Sequence, residues 1–400
     1  MIDSNIENKK QGLNILVVGA GMYVCGKGTD SLGTILPSLV EAKKSGLVDD
    51  IIVAATSDKS IEILNGKLEK INNILGANTS VIGYPQEGRD DQCYLRAINE
   101  HNIDCAIVSV PDHLHTSITE NLIKKGFHVL VVKPLAPTVE EVKHLISLAE
   151  ERKVYGAVEF HKRYDRSNLK FRENVREGKI GLPLYFHVEF SQKKRIPEKV
   201  FKGWVAQSNI FQYLGVHYAD MIYFITGALP ERVLALGQKK YLASRQVDTY
   251  DAIETMIEWK HPETKDAFIS TILTNWIDPE SSTAMSDQKI KVIGTKGRFE
   301  SDQKNRGNEL LTDENGAESI NPYFSSFFPD INGKHKVFQG YGYESIRQFL
   351  KDVQDLLAGL ELTMLTGLRP TFKDALVSTL IVDAVNKSLS SNGNWINIEE

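Results

Sequence analysis

The chain has 400 residues, 42% hydrophobic and 25% charged, a composition of soluble globular proteins and, at roughly 150 residues per domain, enough for two or three domains. Lys and Arg number 47 against 52 Asp and Glu, for a net charge of -5, so nothing electrostatic points to nucleic acid or an anionic membrane surface, and a compact neutral or anionic small molecule stays open as a partner. Collagen-like, low-complexity and disordered classes are excluded. Cys25, Cys93 and Cys105 are too few and too scattered for a disulfide framework or a zinc site, which suits a reducing compartment. The first eleven residues are polar, without the apolar core of an export signal. Apolar runs stay well short of the roughly 18 residues of a membrane span, as where Lys133 ends the run at Val132. A cytoplasmic protein with no metal is expected.

From Asn14 to about Phe160, short Val- and Ile-rich runs alternate with amphipathic segments. Strands are expected at Ile15 to Val18, Ile51 to Ala55, Ser80 to Gly83, Cys105 to Val110, His128 to Val132 and Val154 to Phe160. Helices are expected near Ile35 to Lys44, over Lys59 to Leu75 and over Thr138 to Arg152, the last opened by a Thr138/Glu141 capping box. Strands alternating with helices predict a parallel sheet covered on both faces.

Beyond this the pattern changes. After a helix near Asn168 to Glu177 come better-alternating strands, Leu184 to Ser191, Glu231 to Lys240, Tyr250 to Trp259, Ala267 to Trp276, Lys289 to Gly294 and Gly297 to Ser301, with a helix around Leu214 to Ile225. Such alternation gives a sheet with one wetter face. Asn305 to Gly342 has no clear period, and helices near Tyr343 to Leu357 and Thr371 to Ser388 close the chain. The fold class is α/β with an α+β second domain, residues 12–155 and 156–400. The open sheet is expected to bury its free face in a homodimer or homotetramer.

The first strand runs into Gly19-Ala20-Gly21-Met22, a glycine turn where backbone N–H groups can approach a pyrophosphate. The third glycine of the usual fingerprint is Val24, and Gly26, Gly28 and Gly33 lengthen the loop. The second strand ends in Thr56-Ser57-Asp58-Lys59. Asp58 suits the ribose hydroxyls of NAD, whereas Thr56, Ser57 and Lys59 suit the extra phosphate of NADP, so the cofactor is NAD or NADP. Lys27 is either a phosphate ligand or a solvated loop residue.

Three further stretches carry a resemblance. Pro111-Asp112-His113-Leu114-His115, then Gly126-Phe127-His128-Val129 to Lys133-Pro134-Leu135-Ala136, then Gly215-Val216-His217-Tyr218-Ala219-Asp220 together resemble the glucose-fructose oxidoreductase, inositol dehydrogenase and rhizopine-catabolism (Gfo/Idh/MocA) family. The resemblance implies a Rossmann domain, a C-terminal domain on an open, mostly antiparallel sheet, and NAD(P)-dependent hydride transfer to or from a sugar, polyol or related compound. It makes Gly19, Gly21, Met22, Ser57, Asp58, Pro111, His115 and Lys133 candidates for holding the dinucleotide, and Arg163 and His217 for holding substrate.

The chemistry of the residues agrees. Lys133 ends a core strand, where a cation can polarise a substrate oxygen, and His217 can exchange the proton of an alcohol near neutral pH. The bland alternatives are a lysine reaching to solvent and a buried structural histidine. Two departures stand out: Val132 occupies the position of the family's glutamate beside the lysine, and Tyr213 that of an aspartate four residues before the histidine. Tyr213 or Asp220 could orient His217 instead. The rival functions are a catalytically silent sensor of the same fold and a nucleotide-sugar dehydrogenase, which would need basic residues such as Lys193, Lys194 and Arg195 at the substrate. Trp204, Trp259 and Trp276 are candidate sugar-stacking or packing residues.

Overall fold

The computed structural model describes residues 12–331 and 333–399, so the polar N-terminal stretch lies outside the described residues. Strand β1 (Leu13–Val18) leads into a one-turn helix α1 (Met22–Cys25), followed by α2 (Ile35–Lys44), β2 (Val48–Ala54), α3 (Asp58–Leu75), β3 (Ile82–Tyr84), α4 (Cys93–Glu100), β4 (Cys105–Val108), α5 (His115–Lys124), β5 (His128–Val132), α6 (Val139–Glu151) and β6 (Gly156–Glu159). The strands form one sheet in the order β3-β2-β1-β4-β5-β6, with every pairing parallel. Burial on both faces explains why these strands read as unbroken apolar runs: Ile15, Leu16 and Val17 are all in the core. The strand order reverses between β1 and β4, which opens a crevice at their carboxyl ends. The Thr138/Glu141 capping box forms as the spacing predicts and starts α6.

The second layer system comprises α7 (Arg166–Arg176), β7 (Pro183–Lys193), α8 (Val216–Thr226), β8 (Leu229–Gln238), α9 (Tyr241–Ser244), β9 (Ala252–Lys260), β10 (Ala267–Asp278), β11 (Ser286–Gly294) and β12 (Arg298–Asp302). Its sheet runs β12-β11-β7-β10-β9-β8, with a short C-terminal strand, β17 (Ile396–Asn397), at the β8 edge. Only the β7–β10 pairing is parallel. In β9, Ile253, Thr255, Ile257 and Trp259 are buried while Glu254 and Met256 are exposed, the one-faced pattern that alternation predicts.

One expectation needs correction. The stretch from Asn305 to Gly342 is not irregular: it folds as two hairpins, β13 (Glu309–Thr312) with β14 (Gly316–Ser319) and β15 (Ser326–Pro329) with β16 (Lys336–Gln339). These strands are only four residues long, too short for period to emerge.

Contacts cross the division expected near residue 155. Strand β6 is the outer strand of the first sheet; of the closing helices, α10 (Tyr341–Leu357) packs on the first domain and α11 (Phe372–Ser390) lies between β8 and α8 of the second and α6 of the first. Phe338, Tyr343, Ile346 and Phe349 share a core with Ile15, Leu39 and Val53, and Thr371 bridges to Ala157. Buried Trp259 and Trp276 belong to the sheet core and donate to Ser270 and Gln192.

Candidate active site

One cavity of about 1190 Å³ runs from the glycine turn to α8. At one end Gly19 has φ +116°, and a Cβ there would lie 2.0 Å from the Ser109 carbonyl oxygen. Only glycine fits that position. At Gly21 a Cβ would meet nothing within 4 Å, so the backbone there is open to a close-approaching ligand. Gly19, Gly21, Met22 and Pro111 all line the cavity, a cradle that suits a dinucleotide pyrophosphate. Gly19→Ala is expected to destabilise the fold by roughly 1–3 kcal/mol, measured by urea unfolding, and to weaken dinucleotide binding.

Several candidates sit elsewhere. Ser57 caps α3, its hydroxyl accepting from the Ser60 N–H at 3.3 Å. The Asp58 carboxylate accepts from the N–H groups of Gly88 and Lys59 at 2.9 and 2.7 Å. Neither lines the cavity; Thr56, Ser60, Lys27 and Arg89 do, with Lys27 Nζ donating to Ser60 Oγ at 2.7 Å. His115 is also structural. Its ring nitrogens lie 2.7 and 2.9 Å from the carbonyl oxygens of Pro134 and Val110, tying the β4 turn to the end of β5.

Arg163 faces away from the cavity and is locked to Asp220, its Nε 2.9 Å from Oδ2, and to Asp374 at 3.2 Å. Asp220 therefore anchors the turn after β6 to α8 and does not orient His217. A buried guanidinium needs this pairing, and spacing along α8 could not reveal a partner 57 residues upstream. Of the basic run proposed for a nucleotide sugar, Lys194 lies over the Tyr241 ring at 4.6 Å and Arg195 pairs with Glu280. Neither lines the cavity, nor does Lys193.

Lys133 and His217 do meet in it, 8% and 5% exposed. Lys133 Nζ donates to the backbone oxygen of Tyr213 and sits 3.9 Å from the centre of its ring. Tyr213 thus holds the lysine, not the histidine: among the described residues His217 Nδ1 has no hydrogen-bond partner. Burial lowers the Lys133 ammonium to about 8, partly opposed by Asp112. Burial, then the charges of Lys133, His161 and Lys162, push His217 well below the usual histidine range, so its ring is neutral at physiological pH with one nitrogen unprotonated for proton acceptance. Asp112 also accepts from Gln212 Nε2 at 2.8 Å, pinning the first domain's turn to the segment before α8.

The sequence reading missed a second pair. Glu159, 1% exposed, stands on β6 in register with Val132 on β5. The carboxylate absent from Val132 is thus supplied one strand over. Glu159 accepts from His161 Nδ1 at 2.9 Å and from the Ser345 hydroxyl at 2.6 Å. The His161 ring stacks on Tyr341 and Tyr23 and lies 4.9 Å, centre to centre, from His217. In the sequence the only signal was a carboxylate and a histidine, Glu159 and His161, at the end of β6. Phe324 and Asn321, from between the hairpins, complete this wall.

Residues 13–160 match the family model described as "Oxidoreductase family, NAD-binding Rossmann fold", and 168–300 match the GFO/IDH/MocA C-terminal domain. A myo-inositol 2-dehydrogenase of Thermotoga maritima is 25% identical over 72% of this chain and 78% of its own length. A 1,5-anhydro-D-fructose reductase of Ensifer adhaerens is 26% identical over 38% of this chain and 46% of its own. In fold, the chain is similar to an inositol dehydrogenase homologue of Azotobacter vinelandii solved with NADH and myo-inositol, with TM-score 0.70 at 16% identity over 97% of this chain and 98% of that one. With its glycine turn, its doubly wound sheet and its second-domain sheet all accounted for, the chain belongs to the Gfo/Idh/MocA family of NAD-binding Rossmann-fold oxidoreductases.

Proposed function

We propose that the protein transfers hydride between a nicotinamide dinucleotide and a CH–OH carbon of a sugar, polyol or related compound. The observation that carries this reading is the single cavity joining the open glycine turn to Lys133 and His217. A bound nicotinamide dinucleotide would supply the hydride acceptor or donor. Gly19 and Gly21 admit its pyrophosphate to the backbone, Lys133 polarises the reacting oxygen, and neutral His217 takes the alcohol proton or returns it. The Glu159–His161 pair steadies the charge that His217 acquires, the part a helix aspartate would otherwise play. The test is reduced-nicotinamide absorbance during incubation with a polyol and sugar panel; no change with any member, at protein concentrations that bind dinucleotide, favours the silent sensor.

At the adenosine end, the hydroxyls of Thr56 and Ser60 and the cations Lys27 and Arg89 line the cavity, Arg89 paired with Asp91 at 3.1 Å, while the Asp58 carboxylate is engaged in the backbone of its own turn. Thr56, Ser60, Lys27 and Arg89 favour an additional phosphate. NADP(H) is therefore expected to raise the melting temperature more than NAD(H), and Lys27→Ala to narrow the gap; an equal or larger shift with NAD(H) overturns the preference.

The outer face of the second sheet exposes Tyr185, Leu236, Met256 and Ile269 on neighbouring strands, with Ile269 directly paired to Tyr185. A second copy covering this face makes the protein a homo-oligomer. Light scattering should give at least a dimer mass, shifted toward monomer by Ile269→Asp.

A further inference from the structure

The same cavity holds a second buried lysine that the reaction above does not use. Lys162, in the turn after β6, is 2% exposed. Its Nζ donates to Oε1 of Gln288 and, at 2.8 Å, to Oε1 of Gln303, and it lies 5.2 Å from the ring centres of both Phe190 and Tyr218. Among the described residues no carboxylate is within ion-pair distance of it. Asp165 is held by Arg306 at 2.6 Å and caps α7 through the Ser167 N–H. Glu159 is engaged by His161 and Ser345, and Lys304 is paired with Asp287. Lys133, also without a carboxylate partner, adds a second positive charge to the same field.

A buried ammonium is stable when an opposite charge and enough acceptors face it. Two glutamine carbonyls supply dipoles but no charge, and they occupy two of the three N–H donors of a lysine. Gln303 offers a further donor: with its Oε1 turned to Lys162, its buried Nε2 has no partner among the described residues. Gln303 lines the cavity and is positioned from the hairpin side by Asn321, which donates to its backbone oxygen at 3.0 Å. The end of the cavity beyond His217 is thus rich in donors and short of one negative charge.

We propose that the substrate is a polyhydroxylated carboxylic acid, an acidic sugar or its open-chain equivalent. Its carboxylate lies against Lys162 Nζ and Gln303 Nε2 while its reacting carbon lies at Lys133 and His217. This rests on the oxidoreductase reading and narrows it. One ammonium beside one amide matches a singly charged, two-oxygen group; a phosphate would call for the several converging donors of an arginine cluster.

The test compares matched ligands by thermal shift at pH 6 with saturating dinucleotide: glucuronate against glucose, gluconate against glucitol, and glucose 6-phosphate. At least one acid is expected to bind about tenfold or more tightly than its neutral parent, the effect of one charge-assisted hydrogen-bonded contact. Lys162→Met and, independently, Gln303→Leu should bring that ratio toward one, while Lys162→Arg retains a preference. Neutral parents binding as tightly as the acids in the wild-type protein, or the sugar phosphate binding tightest, overturns the proposal without any variant. A dinucleotide that produces no shift defeats the oxidoreductase reading instead; a dinucleotide shift with no preference for the acid defeats only this proposal.

Discussion

Lys133→Met is expected to keep dinucleotide binding and to lose turnover by roughly 100- to 1,000-fold, the usual effect of removing one preorganised group that stabilises charge at the reacting oxygen. The substitution removes an ammonium that burial already penalises, so the folded chain should survive it; a melting temperature at or above that of the wild type is the control. The pH dependence gives a second readout. Burial holds Lys133 at about 8, and the charged form is the one that polarises oxygen. Turnover should therefore fall as pH rises through about 8. Lys133→Arg keeps the charge at all accessible pH and should displace that limb upward, with a lower rate because a planar guanidinium does not reproduce the lysine's position over the Tyr213 ring. A Lys133→Met protein with near-normal turnover would remove the lysine from the mechanism.

Glu159→Gln should reduce turnover by about 10- to 100-fold while leaving dinucleotide affinity within about twofold, an effect sized by the loss of a charge partner to a proton-transferring histidine pair. Glutamine preserves size and can still accept from Ser345, so loss of packing is not what the substitution tests. The discriminating measurement is the acid limb of the pH profile. Lys133, His161 and Lys162 already disfavour a proton on His217, and the substitution removes the carboxylate that pairs with His161 in this cluster. The already depressed affinity of His217 for protons falls further, so the acid limb moves to lower pH as the maximal rate drops. His217→Ala should be at least as damaging, and a Glu159→Gln, His217→Ala double variant no worse than His217→Ala alone, as expected for residues acting as one unit. Additive losses would show that Glu159 acts elsewhere.

The architecture was legible because it is written in short-range pattern. Fully buried parallel strands produce unbroken Val and Ile runs, one-faced antiparallel strands produce alternation, and the capping box at Thr138 follows from a three-residue spacing. Gly19, Gly21, Lys133 and His217 were legible for the same reason: each sits at a fixed offset from the end of a recognisable element, and all four line the cavity. The chain could also declare what it lacked, a carboxylate at Val132 and another at Tyr213.

What replaced those carboxylates was decided only by the tertiary structure. Glu159 comes into play because two parallel strands set it level with Val132; register between strands depends on the whole sheet, not on either segment. Arg163 and Asp220 leave the site because each neutralises the other, and Lys162 enters it because no carboxylate among the described residues pairs with it. Such pairings join residues from 57 to 211 positions apart. Local pattern carries the propensity of a segment and the face it buries, whereas the partner of a buried charge is chosen by packing at long range, where the cost of leaving that charge alone is largest.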